Sequence, residues 1–70
     1  MPEFLIVHYE IKGIVMARVE AEAAGDALAS TSWLDLPKWT MSCPIQEQDD
    51  GTAVIEHPNE VGHYIVAKPA

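Results

Sequence analysis

Short apolar runs broken by turn residues dominate the chain, and the longest of them alternate or run continuously in the manner of strands. Residues 4–11, FLIVHYEI, and 14–21, IVMARVEA, are rich in β-branched and aromatic side chains and are separated by Lys12-Gly13, which predicts a hairpin. Side-chain parity chooses its register. A two-residue loop sets Ile11 opposite Ile14 and mixes Arg18 and Glu20 with Leu5 and Val7 on one face. A three-residue loop, Ile11-Lys12-Gly13, places Gly13 in the left-handed position and pairs Glu10 with Ile14. Leu5, Val7, Tyr9, Val15, Ala17, Val19 and Ala21 then share one apolar face, and this register is the expected one. The other face carries Phe4, Ile6, His8, Glu10, Ile14, Met16, Arg18 and Glu20. Phe4, Ile6, Ile14 and Met16 on it need cover, from the C-terminal segment or from a second subunit, so these four form a candidate apolar interface and a homodimer is a candidate assembly.

Residues 23–32, AAGDALASTS, bring Ala24, Ala27, Leu28 and Thr31 together at helical spacing. The helix is poorly capped, and Gly25 costs it up to about 1 kcal/mol relative to alanine. Asp26 in the first turn suits the helix dipole, and the small alanine face suits packing on a sheet. WLDLPKW, residues 33–39, reads as a turn whose tryptophans, Trp33 and Trp39, act as core lids. In TMSCPIQEQ, residues 40–48, Met41, Cys43 and Ile45 alternate onto one face, with Pro44 demanding an edge or a bulge. Asp50-Gly51 marks a hairpin into TAVIEH, residues 52–57. A turn over 57–62 leads to a last strand, HYIVAK, residues 63–68. The expected fold is α+β: one domain over residues 1–70, ordered ββαβββ, a small mostly antiparallel sheet with one short helix on one face.

Charge narrows the function. The net charge is -7 over 70 residues, and residues 39–67 contain no Lys or Arg while holding Glu47, Asp49, Asp50, Glu56 and Glu60. Phosphates and anionic bilayers are repelled by such a chain, so neither nucleic acid nor membrane is an expected partner. A basic protein surface is attracted. Acidity that only keeps a small protein soluble is the alternative. The single Cys43 excludes an internal disulfide and suits a reducing compartment, so the cytosol is expected. The first ten residues lack the basic region and length of a signal peptide, and no apolar run approaches the ~20 residues that span a bilayer.

The acidic stretch invites a metal or catalytic reading. With Gly51 at the sixth position of a calcium loop, the ligand positions fall on Gln46, Gln48, Asp50 and His57, which lacks both the carboxylates and the terminal Glu that calcium requires. His8, His57 and His63 show no short ligand spacing, although His57 and His63 flank one turn and can approach across it. Asp49 and Asp50 at a turn are screened by water and make a poor acid–base pair. Cys43 with a histidine would be a nucleophile and base only if the fold joined them, and a Cys43 facing the core is the expectation. No catalytic, cofactor or metal site is therefore expected. In a hairpin, Glu47 and Glu56 are expected on neighbouring strands near one level, a like-charge pair that a partner or solvent must relieve.

At residues 14–31, IVMARVEAEAAGDALAST resembles the strand-to-helix segment of many small phage and mobile-element domains. Val19, Ala21 and Glu22 match the strand end, and Ala27, Leu28 and Ala29 the helix, while Ala23 replaces the usual cap and Gly25 a helix former. Some anti-CRISPR proteins are similar in kind: tiny, acidic, a short sheet with one helix. That resemblance implies inhibition by binding a basic, nucleic-acid-holding surface of a CRISPR effector complex, in the cytosol of the host cell. The expectation is thus a non-enzymatic acidic binding module, with Glu47, Asp49, Asp50, Glu56 and Glu60 as its contacts. A homo-oligomeric structural or regulatory domain and a small Cys/His-dependent enzyme are the alternatives.

Overall fold

The computed structural model describes residues 1–10, 12–30 and 38–70, and of Met41 only the backbone. Its strands are β1 (Glu3–Tyr9), β2 (Gly13–Glu20), β3 (Gln46–Glu47), β4 (Ala53–Glu56) and β5 (Tyr64–Pro69), with the helix α1 (Ala24–Ala29) between β2 and β3. A 3-10 turn, Lys38–Met41, precedes β3. Every strand pairing is antiparallel, in the order β2-β1-β5-β4-β3. The C-terminal strand therefore lies in the middle of the sheet, beside the N-terminal one. The helix layer is thin, and among the described residues no helix is long and apolar enough to cross a membrane.

The first hairpin departs from the expected register. Tyr9 faces Gly13, His8 faces Ile14 and Val7 faces Val15, so the loop is residues 10–12. This moves the register by two residues and preserves parity near the turn. A bulge then skips Met16, and Ile6 pairs with Ala17, Phe4 with Val19. Past the bulge, Ala17, Val19 and Ala21 change sides and join Phe4 and Ile6 beneath α1, while Arg18 joins Leu5 on the outer face. Gly13 is not in the left-handed region; among the described residues only Gly51 and Gly62 have positive φ, 85° and 80°. Gly13 instead makes room for the ring of Tyr9, whose Cε1 lies 2.5 Å from where a Cβ would stand.

The core between sheet and helix holds Phe4, Ile6, Ala24, Ala27, Leu28, Ile55 and Ile65, with Ile6, Ala27 and Ile65 fully enclosed. Phe4 and Ile6, expected as part of an exposed interface, are thus core residues covered by α1 of the same chain. Met16 packs against that core too, and of the four only Ile14 is largely exposed. The outer face carries Val7, Val54 and Val66, shielded by Leu5, Tyr9 and Tyr64, whose two tyrosine rings stack at 4.8 Å.

α1 is preceded by Ala23 in extended conformation with no side-chain cap, and is followed by Ser30, whose Oγ donates to Ala27 O at 3.0 Å. Residues 31–37, including Trp33 and most of the expected turn, lie outside the described residues. The expected strand over 40–48 shrinks to Gln46–Glu47, because residues 38–41 coil into the 3-10 turn that sets Trp39 on the core. Cys43 is half-buried against the same core, whereas Ile45 is exposed. Between β3 and β4, Gln48 N donates to Thr52 O at 2.9 Å, leaving the three-residue loop Asp49-Asp50-Gly51, whose last residue has the positive φ that such loops need.

Gly25 is buried in the first turn of α1, and the Glu47 side chain occupies the space where a Cβ would project. Glu47 is exposed and can swing aside, whereas alanine restores helix propensity. Gly25→Ala is expected to raise stability by about 0.5–1 kcal/mol in urea denaturation. A lowered midpoint would mean that Glu47 is held where it stands.

Candidate functional site

The five acids expected to act together are dispersed. Glu47 pairs with Ala53 and lies over the start of α1, on the helix side. Glu56 pairs with Tyr64 on the outer face, so Glu47 and Glu56 sit on opposite faces and the expected like-charge contact does not exist. Asp49 is exposed in the hairpin loop. Asp50 Oδ1 accepts from Thr52 N at 3.0 Å and from Thr52 Oγ1 at 2.6 Å, and these bonds, the hydroxyl's first, hold its carboxyl below the ordinary value of 3.8. A depressed carboxyl lends stability above its ordinary value, and that contribution disappears as the pH falls through the lowered one. Glu60 turns to the histidines at the other end of the sheet.

Around Glu47 the fold makes a shallow cavity of about 360 Å³. Pro2, Phe4 and Pro69 supply apolar walls, and Glu22 and Glu47 supply its two carboxylates. Neither carboxylate belongs to an ion pair among the described residues. Arg18 is already engaged by Glu3 at 2.8 Å.

The opposite end of the sheet gathers all three histidines. His8 faces Ile65 across the β1–β5 pair, which carries Glu10 to the level of His63 two residues further on. Across the other edge of β5, His57 N donates to His63 O at 2.9 Å, so His57 and His63 are cross-strand neighbours. The ring of His63 stacks on His8 at 5.2 Å and on His57 at 5.1 Å, while Trp39 presses edge-on against His57 and His63, each at 5.0 Å.

Hydrogen bonds assign the protons. His57 Nδ1 accepts from Asn59 N at 3.1 Å and from Glu60 N at 3.0 Å, so its own proton sits on Nε2. His63 Nδ1 lies 3.0 Å from Glu60 Oε2, to which its N–H donates. That bond first, and electrostatic attraction to His57 next, hold the Glu60 carboxyl below its ordinary value of 4.5. His63 Nε2 is left as an acceptor and receives the Nε2–H of His8 at 3.0 Å. Glu10 Oε1 reaches the same point, 3.3 Å from His63 Nε2 and 3.7 Å from His8 Nε2.

Comparison with protein-family models, curated proteins and solved structures returned no match. Function therefore rests on these two ends of the sheet. The imidazole cluster is hidden in the sequence, since His8 stands 55 residues from His63. The readable signal was parity: His8 and Glu10 share a face in a strand, and His57 and His63 are symmetric about a turn.

Proposed function

We propose that the protein is a non-enzymatic acidic binding module that docks on a basic protein surface. The observation that carries this reading is the cavity walled by Pro2, Phe4 and Pro69 and rimmed by Glu22 and Glu47, which join no ion pair among the described residues. An Arg or Lys side chain of a partner lays its aliphatic stem on the apolar walls and meets the carboxylates with its head. Asp49 and Asp50 in the adjacent loop extend the negative field, and Glu56 and Glu60 contribute at longer range. Exposed pairs of this kind are each worth roughly 0.2–1 kcal/mol, so their main effects are on association rate, orientation and salt response.

Likeness to small acidic anti-CRISPR proteins favours a partner that normally holds nucleic acid, such as a CRISPR effector complex. Affinity capture from a lysate of the producing cell, at low and high salt, tests the reading. A basic protein retained at low salt, released at high salt and lost to Glu22→Lys/Glu47→Lys is the expected result. Retention unaffected by both salt and the double reversal would sink it.

A second reading has its own observation. The outer face, with Leu5, Val7, Tyr9, Tyr64 and Val66, is covered by neither α1 nor the 3-10 turn, and a second copy of the chain would bury it. Light scattering at micromolar concentration decides, because a strict monomer excludes that assembly.

A further inference from the structure

His8 Nε2, His63 Nε2 and Glu10 Oε1 converge from two neighbouring strands on one point, with separations of 3.0, 3.3 and 3.7 Å. Donors 2.0–2.2 Å from a tetrahedral zinc stand roughly 3.3–3.5 Å apart, so the triangle already has the size of one face of that polyhedron. We propose that these three atoms form a binding site for a divalent transition ion of the zinc class, with water in the fourth position.

The surroundings are those of a prepared ligand set. The side chains of His8 and His63 are only 15% and 14% exposed, so their rings are held by packing before any ion arrives. Glu60 receives the Nδ1–H of His63 and thereby keeps the Nε2 lone pair aimed at the site, the carboxylate–histidine–metal arrangement in which an outer carboxylate orients a ligand. His57 stacks on His63, and its Nδ1 anchors the backbone of Asn59 and Glu60, which fixes the loop carrying that carboxylate. Glu10 is the exposed member and closes the site from the solvent side.

Entry is open, through a hollow of about 210 Å³ bounded by His8, Glu10, Lys12 and Ile14. Lys12 is the one Lys or Arg there among the described residues, and the net charge of -7 outweighs it at long range. An ion displaces the Nε2 proton of His8 to Nδ1, which no hydrogen bond engages among the described residues. Imidazole nitrogens with one carboxylate select zinc-class ions over calcium and magnesium, which want oxygen. The neighbouring set His57, Glu60 and His63 is the poorer candidate, because His57 Nδ1 is already occupied by two backbone N–H groups. Bound at this point, an ion ties the end of β1 to the start of β5, at the end of the sheet far from Glu22 and Glu47.

The test titrates the full, tag-free, metal-stripped chain with Zn(II), and with Co(II) as an absorbance probe. One equivalent bound, a tetrahedral cobalt spectrum and zinc-dependent ¹⁵N shifts at Nε2 of His8 and His63 support the site. Glu60→Gln should weaken binding about 10–100-fold with the stoichiometry kept at one. Glu10→Gln changes an exposed side chain and tests the third donor even if His8→Ala or His63→Ala fails to fold; it too should weaken binding at least about tenfold. Cys43→Ser should change nothing. Absence of binding, undiminished affinity in both glutamine variants, a thiolate band lost in Cys43→Ser, or zinc shifts confined to His57 would each overturn the assignment.

Discussion

Ile65→Ala is expected to leave the domain at or near the edge of unfolding. Ile65 is fully enclosed between the sheet and α1, in the central strand, with Ile6 and Ile55 beside it in the same core. Removing such a side chain forfeits its transfer free energy and leaves a cavity, together about 2–5 kcal/mol. At roughly 0.05–0.15 kcal/mol per residue, a domain of 70 residues has only about 3.5–10 kcal/mol to lose. Thermal unfolding followed by circular dichroism should show the midpoint fall by at least about 10 °C. Val61→Ala is the control: Val61 is wholly exposed and the change should stay within about 0.5 kcal/mol. Equal effects from the two substitutions would mean that the core is not where the structure places it.

Trp39 carries the second large effect. Its ring packs against the core and meets His57 and His63 edge-on, so Trp39→Ala removes a wall from the imidazole cluster and a lid from the core. A buried Trp truncated to Ala costs about 3–5 kcal/mol, and the partial exposure of Trp39 brings the expectation to about 2–4 kcal/mol. Its Nε1 is buried with no acceptor among the described residues, so the indole already bears a desolvation penalty. Trp39→Phe discards that unsatisfied donor and keeps an aromatic edge, and is expected to stay within about 1 kcal/mol of the parent. Urea denaturation of both variants separates the two roles. A Phe variant as damaged as the Ala variant would show that the Nε1–H has a partner after all.

These two residues also show how much of the fold was legible in the chain. The period-two runs predict the first hairpin and the last two strands, because alternation and β-branched content are local properties. Ala24, Ala27 and Leu28 mark the packed side of α1 for the same reason. The stretch 40–48 misleads: its alternation reads as a strand, and packing of Trp39 onto the core turns residues 38–41 into a 3-10 turn instead. The face of β1 that lies beneath α1 is that of Phe4 and Ile6, not the expected face of Leu5, Val7 and Tyr9. Both faces are apolar, and the bulge at Met16 lets Ala17 and Val19 cross over to the side of Phe4 and Ile6.

From the sequence by itself came the size, the acidity, the absence of an internal disulfide, the hairpins and the small-residue helix, all of which depend on composition or on neighbours within a few positions. Strand order and register between distant segments depend on contacts across the whole chain, and only the tertiary structure decided them. Pairing β1 with β5 raises Glu10 to the level of His63, and pairing β5 with β4 sets His57 beside it. The same topology scatters Glu47, Asp50, Glu56 and Glu60, which lie close in sequence, over two faces and two ends of the sheet. Side chains adjacent in the chain alternate in space, while those on paired strands converge, and that is why the acids separated and the histidines met.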